Sequence, residues 1–242
     1  MRRLFRVLFG SLVAAQVGYS RLPESRRPAA TRAIVVLMLA TALVEGAAAR
    51  RARGAGLVAL AGALGFATEL VGVATGRPFG HYSYGEGLGR RVGGVPVLAV
   101  AAWAMMSRPA WVVAGLLDAR PAARVPLAAG ALTAWDVFLD PRMVRDGYWT
   151  WPGGGRYEGV PLSNFAGWFL TAVGVFGVWA LLERGEEPVG SGDDGALALY
   201  GWTWIGETFA TAVIWRRLPV ALAGGTTMGA FAVPALARRR SS

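Results

Sequence analysis

The chain has 242 residues, no cysteine and a formal net charge of +10; 54% of its residues are hydrophobic and only 17% are charged. Soluble domains carry roughly a quarter charged residues, so this composition argues against a soluble protein. All 25 basic residues are arginines, and they stand at the ends of apolar runs, which suits lipid headgroups and not nucleic acid. The absence of cysteine excludes disulfides, thiolate metal sites and a cysteine nucleophile, and the single histidine excludes multi-histidine haem or metal centres.

The long apolar runs predict an all-α fold: a polytopic transmembrane helical bundle in the cell membrane, forming one integral membrane domain over residues 1–242. We count about eight spans, with seven as the alternative, because the first run is compatible with a short span or a signal peptide. Two aromatic, glycine-rich loops should then lie together on the side opposite the termini. The positive-inside rule gives no orientation, since the arginines divide equally between the sides. The predicted spans are 4–20, 33–49, 54–75, 94–117, 125–139, 164–182, 196–215 and 218–236.

Several local features refine this outline. We expect Pro109 to kink or end the fourth span, and the fifth span to end at Asp140 before Pro141. Glu45 precedes an arginine cluster and is expected to be an interfacial charge. The acidic, glycine-rich segment 183–194 is expected to be a flexible loop in solvent.

Carboxyl groups inside the apolar runs are the first candidates for chemistry, because ionisable groups cost a few kcal/mol or more in a membrane. Asp136 and Asp140 are one helical turn apart and share a face with Thr133. Two such carboxylates without a counter-ion cannot both be charged, so one should hold a proton, as a general acid and base pair requires. The alternative is a helix-end pair neutralised by Arg142 or Arg145. Glu69 and Glu207 are further candidates, each with the alternative of a hydrogen-bonded structural carboxyl.

The two loops supply the other candidates. His81 is the only side chain that titrates near neutrality, although a lone histidine is more often structural. The loops also concentrate aromatic residues, which are typical of an interfacial belt but which would also form an apolar slot able to stabilise a cation. The candidates for binding are Phe79, Tyr82, Tyr84, Trp149, Trp151 and Tyr157, with Asn164 at the start of the sixth span.

Three strings carry a resemblance to a known family: TGRPFGHYSYGEGLG at 75–89 followed by GVP, WDVFLDP at 135–141, and GYWTWPGGGRYEGVPLSNFAGW at 147–168. They resemble the bacterial and archaeal carotenoid-biosynthesis membrane proteins, the carotenoid 1,2-hydratases. The resemblance covers roughly residues 69–168. It implies addition of water across a terminal isoprenoid C=C to give a tertiary alcohol, with no cofactor and no metal.

Protonation of such an alkene gives a tertiary carbocation that water captures. We expect Asp136 or Asp140 to donate the proton with the other as its partner, and Glu69, assisted by His81, to position water. Phe79 and the loop tryptophans would shield the cation. The expected partners are an acyclic or monocyclic carotenoid, membrane lipid and other carotenoid-biosynthesis enzymes, and no nucleic acid.

Two alternatives remain open from the sequence. The spacing of Asp136 and Asp140 beside Arg142 and Arg145 also resembles half of the metal–diphosphate site of a membrane prenyltransferase, which needs a second acidic segment. The other alternative is a carotenoid- or lipid-binding scaffold in which the carboxyl groups are structural.

Overall fold

The computed structural model describes residues 1–183 and 189–241, and over these residues the chain is a bundle of α-helices, as predicted. Short 3₁₀ turns lie at Glu24–Arg26, Glu86–Leu88 and Ser191–Asp193. α6 continues as a π-helical segment, Ala210–Ile214. The helices are α1 Arg2–Tyr19, α2 Arg27–Thr75, α3 Val97–Leu117, α4 Pro121–Arg145, α5 Leu162–Leu182, α6 Asp194–Phe209 and α7 Leu218–Arg240.

α2 is two helices joined by a sharp reversal. Arg50 and Arg51 have non-helical dihedral angles, with φ of −129° and 55°. A Cβ atom built on Gly46 would lie 2.8 Å from the carbonyl oxygen of Gly54, whereas a straight helix would separate these residues by roughly 12 Å. The halves 27–49 and 52–75 therefore run back along each other, as the sequence predicted for its second and third spans.

Five helical segments of the described chain are long and apolar enough to cross a membrane: Glu24–Thr75, Val100–Leu117, Pro121–Arg145, Leu162–Leu182 and Leu218–Arg240. The first of these contains both halves of α2. The bundle is therefore that of a helical membrane protein. The further spans expected at 4–20 and 196–215 correspond to the helices α1 and α6. These two are not among the five segments that are long and apolar enough to cross a membrane, so their crossing of the membrane stays a prediction.

α3 is the central helix of the bundle. Every residue from 101 to 114 is buried, including Trp103, Arg108 and Trp111. Six of these fourteen residues are alanine or serine, and such small side chains allow neighbouring helices to approach closely. Pro109 lies inside the continuous helix, so of the two expected effects the ending of the span is excluded, and a kink stays a prediction.

The two aromatic loops meet at one end of the bundle through short strands. β1 is Ser83–Tyr84, β2 is Arg91–Val92, β3 is Val95–Pro96 and β4 is Trp149–Thr150. β1 pairs antiparallel with β4, so that Ser83 faces Thr150 and Tyr84 faces Trp149. The β2–β3 hairpin leads into α3. The predicted placement of both loops on one side is confirmed.

α4 continues beyond its predicted end. The helix runs through Asp140 and Pro141 to Arg145. Pro141 has no N–H to donate to the carbonyl of Val137, and such a loss normally breaks a helix. Here the hydroxyl of Tyr157 donates to that carbonyl at 3.0 Å, which supplies the missing bond. The sequence could not show this partner, because it lies in the next loop.

The opposite end of the bundle holds buried charges that are paired. Arg108 donates to Glu45 and to Asp193, each at 2.5 Å, and all three side chains are almost fully buried. We call these residues the ion-pair cluster. Two expectations are corrected here, since Glu45 is not an interfacial charge and Asp193 does not lie in solvent. Of the acidic segment, residues 184–188 lie outside the described part of the chain.

Candidate active site

Three buried carboxyl groups converge beneath the two loops. Glu69 lies in the second half of α2, and Asp136 and Asp140 lie one turn apart on α4. Their residues are exposed by 6%, 0% and 1% respectively. We call them the carboxyl cluster. Asn164 of α5, also buried, stands between the aspartates and donates to both.

Glu69 is surrounded by hydrogen-bond donors. Its Oε2 accepts bonds from the hydroxyl of Tyr84 at 2.7 Å and from that of Tyr82. Its Oε1 accepts a bond from the indole Nε1 of Trp103 at 3.1 Å. The close approach depends on Gly72, because a Cβ at this position would lie 2.9 Å from the Tyr82 hydroxyl. Glu69 is therefore held in one orientation as an acceptor.

Extended backbone at the start of the first loop decides which of its side chains face the site. Successive side chains of an extended segment point to opposite faces. Tyr82 and Tyr84 point inward to Glu69, while Ser83 is exposed. Burial raises the pKa of both phenols well above the ordinary value, and the Glu69 carboxyl raises it further. The phenols therefore remain donors throughout the physiological pH range.

The aspartates form a close pair with different surroundings. Asp140 accepts a bond from Trp149 Nε1 at 3.0 Å and one from Asn164. Asp136 accepts only the Asn164 bond, at 3.1 Å, and its buried Oδ1 has no donor among the described residues. Both aspartates accept from the Asn164 amide, and neither has an ion-pair partner among the described residues. Two buried carboxyl groups one helical turn apart are costly when both are ionised, which favours a proton on one of them.

No basic side chain of the described chain forms an ion pair with the carboxyl cluster. Arg142 bonds to Asp146 at 2.6 Å, and its guanidinium lies 4.2 Å from the ring centre of Trp215. Arg145 also approaches Asp146 and Trp215. The alternative in which these arginines neutralise Asp140 is therefore wrong.

A small cavity of about 20 Å³ separates Glu69 from Asp140. That volume holds about one water molecule. Aromatic rings form most of its wall, and Trp151 is fixed by a bond from its Nε1 to the carbonyl of Phe79, at 3.0 Å. The residues around the cavity are Glu69, Phe79, Tyr82, Tyr84, Ala99, Ala102, Asp140, Trp149, Trp151, Asn164 and Trp168.

Two predicted site residues lie outside this group. His81 is exposed, and its ring covers Gly76 at the left-handed end of α2, where a Cβ would lie 2.7 Å from the imidazole. It faces away from the cavity because it alternates with Tyr82. Tyr157 does not line the cavity either, because its hydroxyl donates a hydrogen bond to the Val137 carbonyl. Neither residue is in position to contact a reacting group in the cavity.

Two tryptophans of the site were missed by the sequence reasoning. Trp103 donates to Glu69, and its ring stacks on that of Trp168, with centroids 4.1 Å apart and planes inclined by 16°. An indole N–H in an apolar helix needs an acceptor, and that need was the available signal. The identity of the acceptor depends on how α2 and α3 pack, which the sequence does not give.

Comparisons with known proteins identify the family of the chain. A family model described as "Carotenoid biosynthesis protein" matches residues 31–231. A bisanhydrobacterioruberin hydratase of Haloarcula japonica is 36% identical over 126 residues, which cover 50% of this chain and 42% of that protein's length. No solved structure matches the chain. Because the family model covers most of the sequence, including the carboxyl cluster and both loops, the chain belongs to the carotenoid biosynthesis protein family.

Proposed function

We propose that the protein is a carotenoid hydratase of the cell membrane that adds water across the terminal 1,2 double bond of an isoprenoid chain. The observation that carries the proposal is the pairing of Asp140 with Glu69 across one aromatic cavity without a basic partner. Carboxyl groups in such a place are neutral or share protons, and a proton donor is what the reaction needs first. The similarity to a bisanhydrobacterioruberin hydratase supports the same chemistry over half of the chain.

Asp140 is the proposed proton donor, and Asp136 is its partner. Asp140 lines the cavity, whereas Asp136 lies behind it and is joined to it through Asn164. Transfer of the proton to the less substituted carbon of the alkene leaves a tertiary carbocation. The Asp140 carboxylate left behind keeps its bonds from Trp149 and Asn164, and these donors stabilise the new negative charge.

The aromatic wall and Glu69 complete the reaction. The rings of Phe79, Trp149 and Trp151 face the cavity, and each π-face stabilises a cation by about 0.5–2 kcal/mol. Glu69 is fixed by three donors and is placed to orient a water molecule toward the cation. Water adds to the cationic carbon and loses a proton to Glu69. Return of that proton to Asp140 across the shared cavity restores the starting state, so the net reaction consumes one water.

Substrate entry requires the cavity to enlarge. Its volume of about 20 Å³ accommodates a water molecule but not the branched end of an isoprenoid chain. The wall facing the loops is made of side chains on short strands and turns, while the opposite wall belongs to buried helices. We therefore expect the rings of Phe79 and Trp151 to move when the chain end binds.

Pigment analysis after co-expression tests the reaction. In a lycopene-accumulating host, the wild-type protein should produce a carotenoid heavier by one water, detected by mass spectrometry. Asp140→Asn should abolish this product, and Glu69→Gln and Asp136→Asn should reduce it. Asp146→Asn is the matched control, because it makes the same change directly after the same helix, at an exposed position outside the cavity. Wild-type product levels in all three cluster variants would refute the assignment.

The same experiment separates the other functions. A prenyltransferase would add an isoprenoid unit instead of water and would need a prenyl diphosphate, and nothing in the surroundings of Arg142 or Arg145 favours this, since both turn away from the aspartates. A scaffold that binds carotenoid, lipid or other carotenoid-biosynthesis enzymes would yield no new pigment with purified protein.

A further inference from the structure

A second, larger cavity lies between α1, α2, α4 and α6. Its volume is about 450 Å³, within the range of roughly 300–1,000 Å³ that is usual for small-molecule sites. Its walls are mainly apolar and include Met38, Phe138 and Trp202. Apolar walls of this size take an extended hydrocarbon chain and offer little to a polar ligand.

The cavity contains a carboxyl group that has no hydrogen-bond donor in the described part of the chain. Glu207 of α6 lines it and is half-buried, and no donor or cation of the described chain bonds to its carboxyl group. A carboxyl group that lines an apolar cavity and has no donor in the protein can accept a hydrogen bond from a bound ligand. Glu207 is therefore positioned to accept a hydrogen bond from a ligand.

The positive charge of Arg142 restricts the kind of donor that a ligand can present to Glu207. Arg142 lines the same cavity as Glu207. Its guanidinium is fixed by Asp146 and by the ring of Trp215. A cationic ligand head would be repelled by Arg142, whereas a hydroxyl would not. The chemistry thus favours an apolar chain with a neutral hydroxyl at its end.

The backbone beside Glu207 is unusual. The helix changes to π-helical geometry at Ala210–Ile214, and Ala210, Ile214 and Trp215 all line the cavity. Segments of π-helix occur frequently at functional sites, where they displace side chains from the regular spacing. Phe209 and Ile214 are also exposed at the bundle surface, so the cavity adjoins the face expected to meet lipid.

The cavity and the carboxyl cluster use neighbouring faces of α4. Leu139 and Met143 of α4 line the larger cavity. Asp140 directly follows Leu139, and Asp136 lies one turn before Asp140, so the two aspartates lie on the adjoining face of the helix. Leu139 packs against the apolar residues of both regions. Side chains of α4, including Leu139, thus separate the two sites.

We propose that this cavity is a second binding site, which takes an extended apolar chain carrying a terminal hydroxyl group, with Glu207 accepting the hydroxyl hydrogen bond. The geometry that supports it is the apolar cavity, the unpartnered carboxyl group and the fixed arginine beside it. The site does not depend on the proposed reaction, because none of the carboxyl cluster lines it.

Direct binding tests the proposal. The full chain in phospholipid nanodiscs is titrated with geranylgeraniol and with its methyl ether, and indole fluorescence is followed, since Trp135, Trp202 and Trp215 line the cavity. The alcohol should bind saturably and about tenfold more tightly than the ether, because the ether cannot donate a hydrogen bond. Glu207→Leu should bring the two affinities together. Equal binding of alcohol and ether to wild-type protein, or no binding above the nanodisc phospholipid background, would overturn it.

A glycine variant provides an independent check of the location. Gly206 lines the cavity, and the nearest atoms to a Cβ built on it belong to Trp202, at the ordinary contact distance of 3.7 Å, so Gly206→Leu places added volume at the cavity wall. This variant should lose both ligands. Gly174→Leu is the matched control, because Gly174 is exposed on α5 and has no atom within 4 Å of its built Cβ. Wild-type binding by Gly206→Leu would place the ligand elsewhere and contradict the proposal.

Discussion

The two ends of the bundle bury carboxyl groups in opposite ways. In the ion-pair cluster, Glu45 and Asp193 share Arg108, and Arg50 lies 3.6 Å from Asp193. In the carboxyl cluster, Glu69 and the two aspartates are surrounded only by neutral donors: indoles, phenols and an amide. Charges that are matched within the protein need no proton to remain buried. Buried carboxyl groups without a cation favour the protonated form, and in the proposed mechanism Asp140 supplies such a proton.

The largest effect is expected from a substitution of Asp140, the aspartate of the carboxyl cluster that lines the cavity. Asp140→Asn removes the proposed proton donor and should lower turnover by about 10²–10⁴-fold, the usual contribution of a general acid. Asp136→Asn should cost less, because Asp136 acts through its partner. Turnover of purified protein measures both. Equal and small losses in the two variants would mean that the acid lies elsewhere.

Breaking the ion-pair cluster should affect stability instead of turnover. Arg108→Met leaves Glu45 and Asp193 buried without their shared cation, which should destabilise the protein by about 3–5 kcal/mol. Thermal unfolding in detergent measures this loss. Adding Glu45→Gln and Asp193→Asn should recover much of it, because no unpaired charge is then buried. Turnover per folded molecule should stay near the wild-type value. A loss of turnover without a loss of stability would contradict the structural role of the ion-pair cluster.

A smaller effect is expected at the donor to Asp140. Trp149→Phe keeps an aromatic ring in the wall but removes the Nε1 bond of 3.0 Å. The loss of one hydrogen bond to a charged group is worth about 1.5–3 kcal/mol, so kcat should fall by about tenfold or more while KM changes little. Steady-state kinetics make the test. A change confined to KM would assign Trp149 to substrate binding and not to support of the carboxylate.

The smallest effect is expected at the only histidine. His81 is exposed and its ring packs over Gly76, outside the cavity. His81→Ala should therefore leave turnover within about twofold of wild type, in line with surface substitutions in general. The pH profile of turnover should be unchanged as well. A large loss of turnover, or a change in its pH profile near neutrality, would show that His81 takes part in the mechanism.

The sequence predicted the parts of this site that depend on local pattern. Apolar runs predicted the helices, and the cost of buried carboxyl groups singled out Glu69, Asp136 and Asp140. Features that depend on tertiary contacts were missed or misassigned. The continuation of α4 past Pro141 needs a hydroxyl from Tyr157, and Trp103 reaches Glu69 only because α3 packs on α2. The burial of Asp193 similarly depends on Arg108, which is 85 residues earlier in the chain.

Infrared difference spectroscopy tests the contrast between the two clusters most directly, because protonated and ionised carboxyl groups absorb at different frequencies. Spectra of wild-type protein and single variants would be compared in H₂O and D₂O. We predict that Asp136→Asn or Asp140→Asn removes a protonated-acid carbonyl band, and that Glu45→Gln removes only carboxylate bands. Loss of carboxylate bands alone from both aspartate variants would show that the carboxyl cluster holds no proton and would contradict the account.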